Sequence, residues 1–381
     1  MGTQTNYIHN KRILYLDILR AIAIISITFN HAVNRSFAIN SGQFLEFQDI
    51  PLYLTIIKVV LYAFSRIGVP LFVMISGALL LSRDYSGGIK EGSISKFIKH
   101  NWLQLFITTE IWLTIMFWYM QLGPQSMLFT KGILYTLARF GMTLLFLNPI
   151  TMGSMWYMEM ILCVYLVIPI ISIAIKQIRF EYWLIPITIV IFCSYILPDI
   201  NGIIGALGLN FSFETKLTSA NVFSMYVVYL LFGYYINKGT LAKIPAKILC
   251  SVLIVTFIGF CIFQMWFYSV EYDFIVGKWY RSIFPMGIAV ALFELIRRYK
   301  VGSAELLEKL ATKLAVMSFG IYFIHICIMK GLNTLIGHVS PNIILLQKFI
   351  LLESISFLGS IIIIYLCCKS KLMKKYLFHI K

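Results

Sequence analysis

The sequence predicts an all-α fold, a polytopic integral membrane helical bundle of about ten transmembrane helices with both termini cytoplasmic. Three observations carry this. The 381 residues are 60% hydrophobic and 13% charged, with a mean hydropathy of +0.84; soluble domains sit at about 45–50% apolar and about 25% charged. Apolar runs of about 20 residues, enough to cross a hydrocarbon core, recur along the whole chain. Basic residues collect in alternate connecting segments, as the positive-inside rule requires. With ten spans, about twenty-one of the 32 Lys and Arg fall inside and about eight outside. A shift by one span spoils that asymmetry. The net charge of +16 therefore reads as topology, and no nucleic-acid surface is expected.

Residues 1–12 are polar and end in Lys11-Arg12, a cytoplasmic segment ahead of the membrane domain at 13–368. The first run, Leu14 to Val33, is too long and too charged for a cleavable signal peptide. A polar outer segment with Glu46 and Asp49 follows it. Pro51 to Leu81 is too long for one perpendicular crossing. Arg66, Gly68 and Pro70 interrupt it, so a kinked pair of helices is expected there. A basic loop with Arg83, Lys90, Lys96 and Lys99 leads into a third span near 98–121. The stretch 124–148 reads as an amphipathic outer helix or as a further span. The fourth span, near 155–175, opens with Trp156-Tyr157. The fifth covers 182–197, and an outer Gly- and Asn-rich loop is expected over 199–220. Spans six to ten are expected near 221–236, 248–270, 280–296, 314–333 and 343–368, with an outer turn at Glu271 and Asp273. Residues 369–381 form a basic cytoplasmic tail. The seven cysteines include no Cys-x-x-Cys pair, so neither a disulfide framework nor a metal site is expected. Oligomeric state leaves no signal.

Ionisable groups at membrane depth are costly and are functional candidates by default. The first run, LYLDILRAIAIISITFNHAV, holds three of them: Asp17, Arg20 and His31. Arg20 and His31 are eleven apart, about three turns at ~3.6 residues per turn. One helix face therefore carries an acid–base pair near one end and an imidazole roughly 16 Å away at 1.5 Å per residue. Imidazole is the usual general base near neutral pH. Beyond its pairing with Asp17, Arg20 has donors left for an anion. Lys96 and Lys99, at i, i+3, read either as a phosphate-binding edge or as ordinary positive-inside charge. Glu110, Glu159, Glu294 and Glu353 are membrane-depth carboxylates, of which one or two are expected to pair with Arg or His across helices. His325 reads equally as a packed histidine or a site residue, and Trp156 as an aromatic-belt residue.

These residues also form a pattern. YLDILRAIAIISITFNHAVNR, with Asp17, Arg20 and His31, resembles the opening signature of the acyltransferase-3 family of integral membrane O-acyltransferases. GVPLFVMISGALLL resembles its Ser-Gly run (Ser76-Gly77). MWYMEMILCVYLVIPII resembles a middle span starting at Trp156 with a late Pro169. LLFGYYI resembles its Gly-aromatic segment (Gly233, Tyr234), and SFGIYFIHICI its Gly-Ile-Tyr-x-x-His element (Gly320, Tyr322, His325). The matches follow the family's order along nearly the whole chain.

The resemblance implies a ten-span acyltransferase of a cell (inner or plasma) membrane, in the short form without an appended esterase-like domain. It implies transfer of an acetyl group from acetyl-CoA to a hydroxyl of a surface polysaccharide or lipid-linked glycan, with no metal. His31 would be the base, helped by Arg20 and Asp17. Arg83, Lys96 and Lys99 would hold the donor's phosphates, although the family usually has arginines where Lys96 and Lys99 stand. Ser76, Glu110, Trp156, Glu159, Tyr322 and His325 are the expected substrate contacts. Direct transfer and a covalent acyl-enzyme are both open. The rival reading is a proton-coupled transporter or exporter, since intramembrane Glu and His on broken helices suit that too; no inverted repeat supports it.

Overall fold

Backbone polar groups left unpaired in hydrocarbon are prohibitively costly, so an apolar chain crosses a membrane as helices or closed barrels. In this protein every regular element among the described residues is helical. The computed structural model describes residues 13–37, 51–85, 93–123, 126–147, 155–209, 211–213, 225–270, 272, 274–300, 302–340, 343–378 and 380. The expectations for residues 1–12, Glu46, Asp49, Lys90, 214–220, Glu271 and Asp273 lie outside the described residues.

The order is α1 (Leu14–Ser36), α2 (Leu52–Ser65), α3 (Gly68–Leu80), α4 (Ser93–Phe97), α5 (Leu103–Met120), α6 (Met127–Lys131), α7 (Ile133–Leu144) and α8 (Trp156–Gln177). Then come α9 (Phe180–Ile191), α10 (Leu197–Ala206), α11 (Met225–Asn237), α12 (Ala246–Ser269), α13 (Ile283–Arg297), α14 (Glu305–Val339), α15 (Leu345–Cys367) and α16 (Lys371–Tyr376). Eight stretches are long and apolar enough to cross a membrane: α1, α2–α3, α4–α5, α8, α9–α10, α12, α14 and α15. The other two expected spans are shorter helices, α11 with 13 residues and α13 with 15. At 1.5 Å per residue each covers only about 20 Å.

The kink expected within 51–81 lies at Arg66–Ile67, between α2 and α3. Two five-residue π-helical turns, Ile98–Trp102 and Phe192–Ile196, join α4 to α5 and α9 to α10. The second corrects the expected outer loop: residues 199–206 continue the helix. Pro198 lies just after this π turn, inside a helix that runs on from α9. α7 has 12 residues and buries only Thr136 and Thr143. It is too short to span, in keeping with an amphipathic surface helix.

α1 is the axis of the bundle, packed against α2, α3, α13, α14 and α15. Leu19, Ala23, Ile24 and Ala32 are fully buried on it. α3 and α11 meet backbone to backbone. A Cβ on Gly77 would stand 1.9 Å from the Leu230 carbonyl oxygen, and one on Gly233 1.9 Å from that of Met74. The Ser-Gly and Gly-aromatic segments are therefore two halves of one contact. Glu294 is fully buried, yet it does not pair across helices as expected. It accepts a two-bond fork from Arg297 (2.6 and 2.9 Å) and a third bond from Arg298 (2.6 Å). Arg298 also donates to the Leu241 and Ile244 carbonyls, which ties down the turn before α12.

The end of the chain turns back into the bundle. Thr108 Oγ1 donates to the Tyr376 carbonyl (2.8 Å) and Trp112 Nε1 to that of Leu377 (3.1 Å). Phe378, 2% exposed, then enters the core beside Trp112.

Candidate active site

A cavity of about 870 Å³ opens between α1, α3, the first π turn, α5, α8 and α14. That is at the upper end of ordinary small-molecule sites, about 300–1,000 Å³. Its mouth is basic, lined by Arg20, Arg83, His100 and Asn101.

Arg20 reaches the mouth because its partner lies beneath it. Nη1 meets Asp17 Oδ1 at 3.1 Å, with the Asp17 side chain 3% exposed and that of Arg20 31%. One contact to one carboxylate oxygen leaves guanidinium N–H groups directed to the cavity. Arg83 follows α3, and its backbone is pinned to α8. Ser172 Oγ donates to the Leu81 and Arg83 carbonyls, each at 3.0 Å, and the Lys176 ammonium also donates to the Arg83 carbonyl. The Arg83 guanidinium donates to Asn101 Oδ1 at 3.3 Å. Near it, burial pushes the phenol of Tyr85 up to about 12, so it stays protonated. The π turn carries one residue more per turn than an α-helix, and His100 and Asn101 on it line the cavity. Lys96 and Lys99 are exposed and do not line it.

Deeper in, the wall becomes aromatic. Ser76 Oγ donates to the Phe72 carbonyl (3.1 Å) and lies 3.3 Å from Tyr165 Oη. Tyr157 and Tyr322 face each other with ring centroids 5.7 Å apart. Behind Tyr322, at 6.4 Å, is His325, and 5.2 Å from it is His31, tilted by 45°. His325 is fully buried. Its Nδ1 lies 2.7 Å from the Ile321 carbonyl oxygen. A carbonyl only accepts, so Nδ1 carries the hydrogen and Nε2 holds the lone pair. That Nε2 is buried and has no hydrogen-bond partner.

Two histidines from helices nearly three hundred residues apart in sequence thus meet at the deep end, three turns along α1 from Arg20. Of the expected substrate contacts, Ser76 and Tyr322 line the cavity. His325 stands behind Tyr322, beside His31. Trp156 stacks on Tyr280 at 5.9 Å on the far side of the cavity wall. Glu110 and Glu159 lie partly buried on α5 and α8, outside the lining. Glu353 accepts a 2.6 Å bond from Thr28 Oγ1, one turn before His31, rather than pairing with Arg or His.

Sequence reasoning missed His100, Asn101, Tyr165 and Phe378 in the lining. Tyr157, next to the Trp156 read as an aromatic-belt residue, lines the cavity too. A π turn has no periodicity signature, and the tail read only as positive charge.

The family model described as Acyltransferase domain, that of the acyltransferase-3 family, matches residues 13–369. Comparisons with curated proteins and with solved structures give no match.

Proposed function

The chain belongs to the acyltransferase-3 family, and from that premise we propose that it moves an acetyl group from acetyl-CoA to a hydroxyl of a surface polysaccharide or lipid-linked glycan at a cell membrane. One observation carries the reading: a cavity with a cationic mouth runs to an aromatic wall beside a pair of facing histidines, of which His325 is fully buried. The phosphates of CoA meet Arg20, Arg83 and His100 at the mouth. Arginine suits this, because its planar fork grips phosphate oxygens in pairs. The narrow pantetheine arm runs past Ser76 and Tyr165, and the thioester stops at Tyr157 and Tyr322. Tyr322 stands between the cavity and the histidines, so its ring must shift as the thioester arrives.

In the direct route, His31 takes the proton of the acceptor hydroxyl. The oxygen attacks the thioester carbonyl carbon, the C–S bond breaks, and the proton passes from the His31 imidazolium to the departing CoA sulfur. An ester and free CoA result. His325, whose Nε2 lone pair is free, lies beside the His31 ring, where it steadies the imidazolium. Asp17 holds Arg20 in place and takes no part in the proton transfer.

The test uses the intact protein in membranes. His31→Ala should abolish release of CoA thiol from acetyl-CoA, with acetyl-CoA binding retained. His325→Gln should lower the rate about 10²-fold, a typical contribution of acid–base support, with KM for acetyl-CoA unchanged. Full activity of folded His31→Ala would remove the general base from the scheme. Solute transport without ester formation would favour an exporter.

A further inference from the structure

Two further arginines, Arg66 and Arg35, lie near His31, and neither lines the donor cavity. Arg66 sits at the break between α2 and α3 and is 8% exposed. Ser65 Oγ, next to it, lies 3.5 Å from Asn30 Oδ1. The break therefore sits at the depth of His31, and Arg66 and Arg35 are both within electrostatic reach of that ring. The Arg66 guanidinium carbon lies 4.3 Å from the Tyr62 ring centroid and 5.4 Å from that of Tyr280. Its Nε has no hydrogen-bond partner. Arg35 reaches only the His31 carbonyl oxygen (3.4 Å) and the Met329 sulfur (3.8 Å). Among the described residues no carboxylate is within ion-pair distance of either guanidinium.

The backbone is committed to this arrangement. Tyr280 has φ of +64°, a left-handed conformation that is rare for a bulky side chain and tends to mark functional sites. Its carbonyl accepts from Tyr229 Oη at 3.3 Å, and its ring stacks on Trp156. The fold thus spends local strain to hold an aromatic face on Arg66. Cation–π contact softens the burial of a guanidinium, yet the Arg66 Nε stays without a hydrogen-bond partner. A buried charge without a counter-charge is costly, and an oxyanion supplied by a substrate removes that cost.

We propose that the acylated hydroxyl belongs to a molecule carrying a phosphate or carboxylate beside it, and that Arg66 with Arg35 grips that anionic group at His31. This rests on the acyl-transfer reading and narrows it: anionic glycans and lipid-linked sugar phosphates are acceptors, and neutral sugars are poor ones. Arg66 acts here as a specificity residue.

The experiment titrates inorganic phosphate onto the purified full-length protein with CoA saturating, so that the donor mouth is already filled. The line width of the phosphate signal is followed by phosphorus NMR, and binding of acetyl-CoA is measured on the same samples. Wild type should show one saturable phosphate site that glucuronate displaces and neutral glucose does not. Arg66→Gln and Arg35→Gln should each weaken it at least about tenfold, as expected when one partner of a buried charge contact is removed. Arg66→Lys keeps the charge but not the planar fork and should bind more tightly than Arg66→Gln, which guards against a folding defect in Arg66→Gln. Arg83→Ala should leave this site unchanged. Absence of a saturable site in folded wild type, or equal binding in the Gln variants, overturns the inference. So does loss of phosphate binding in phosphatidylglycerol nanodiscs but not in phosphatidylcholine ones, because the site then belongs to a lipid headgroup. Failure of wild type to bind acetyl-CoA would count against the donor reading alone.

Discussion

Phe378→Ala tests whether the chain end is part of the donor site. The Phe378 ring is 2% exposed and packs against Trp112, with centroids 6.3 Å apart. It also covers Gly320, where an added Cβ would stand 2.8 Å from Phe378 Cδ1. Truncating a buried Phe to Ala costs about 3–5 kcal/mol. The lower figure applies here, since a short terminal segment can detach instead of leaving a sealed void. Unfolding entropy of about 2.1 cal/mol/K per residue over this chain length converts 3 kcal/mol into a fall of about 4 °C in Tm. Detachment also removes two side-chain-to-carbonyl bonds, from Thr108 and Trp112, each worth about 1 kcal/mol net. Phe378 and Ile380 line the cavity together with Arg20 and Arg83, so the same change opens its wall. The assay is thermal unfolding of the purified protein with and without acetyl-CoA, beside limited proteolysis at the tail lysines. The expected result is a lower Tm, faster cleavage near Lys371–Lys375 and weaker acetyl-CoA binding. An unchanged Tm with unchanged binding would show that the tail is an ordinary solvated extension and would refute the reasoning.

Two further outcomes follow from geometry. Gly233→Ala drives a methyl group to 1.9 Å from the Met74 carbonyl oxygen, and backbone cannot yield as a side-chain tip can. Membrane-inserted, monodisperse protein should fall sharply on fluorescence-detected size exclusion, whereas Gly141→Ala, with open space around it, should be neutral. Arg83→Ala should weaken acetyl-CoA binding about tenfold by loss of a charge-assisted phosphate contact, while Lys96→Ala/Lys99→Ala, exposed and outside the lining, should change it less than about threefold. Titration calorimetry separates the two. A larger effect of the lysine pair would move the phosphate site out onto the loop.

How far the sequence spoke depended on what kind of signal each residue leaves. Long apolar runs are hard to mistake, because a helix in hydrocarbon has no alternative way to pair its backbone. The helices α1, α8, α12 and α15 therefore lie within a few residues of their expected positions. The charged face of α1 was legible for the same reason: Asp17, Arg20 and His31 stand out against an apolar background. α10 was misread as loop because Asp199, Asn201, Gly202 and Gly205 look like turn residues. In the structure Asp199 is buried, accepting from Ser282 Oγ (2.9 Å) and the Ile283 amide (3.2 Å). Gly202 and Gly205 lie against Phe274 and Tyr272. Those polar and small residues serve helix packing, and only the partner segment reveals it.

Basic residues were the harder case, because one residue type carries two messages. Positive-inside charge is spent on exposed positions, and Lys96 and Lys99 are exposed. A cation buried at membrane depth must give up water, so it needs something in exchange: a buried carboxylate, an aromatic face or a ligand. Arg20 has Asp17, and Arg66 has Tyr62 and Tyr280. Arg20 and Arg66, which interrupt apolar runs, are thus less exposed than Lys96 and Lys99. The membrane makes that distinction visible in sequence, as the cost of placing Arg20 and Arg66 within hydrocarbon-length stretches at all. His31 thus has Arg20 three turns away along α1 and Arg66 and Arg35 within electrostatic reach of its ring. On the proposed scheme, that places the facing His31 and His325 rings between a phosphate-bearing donor and an anionic acceptor.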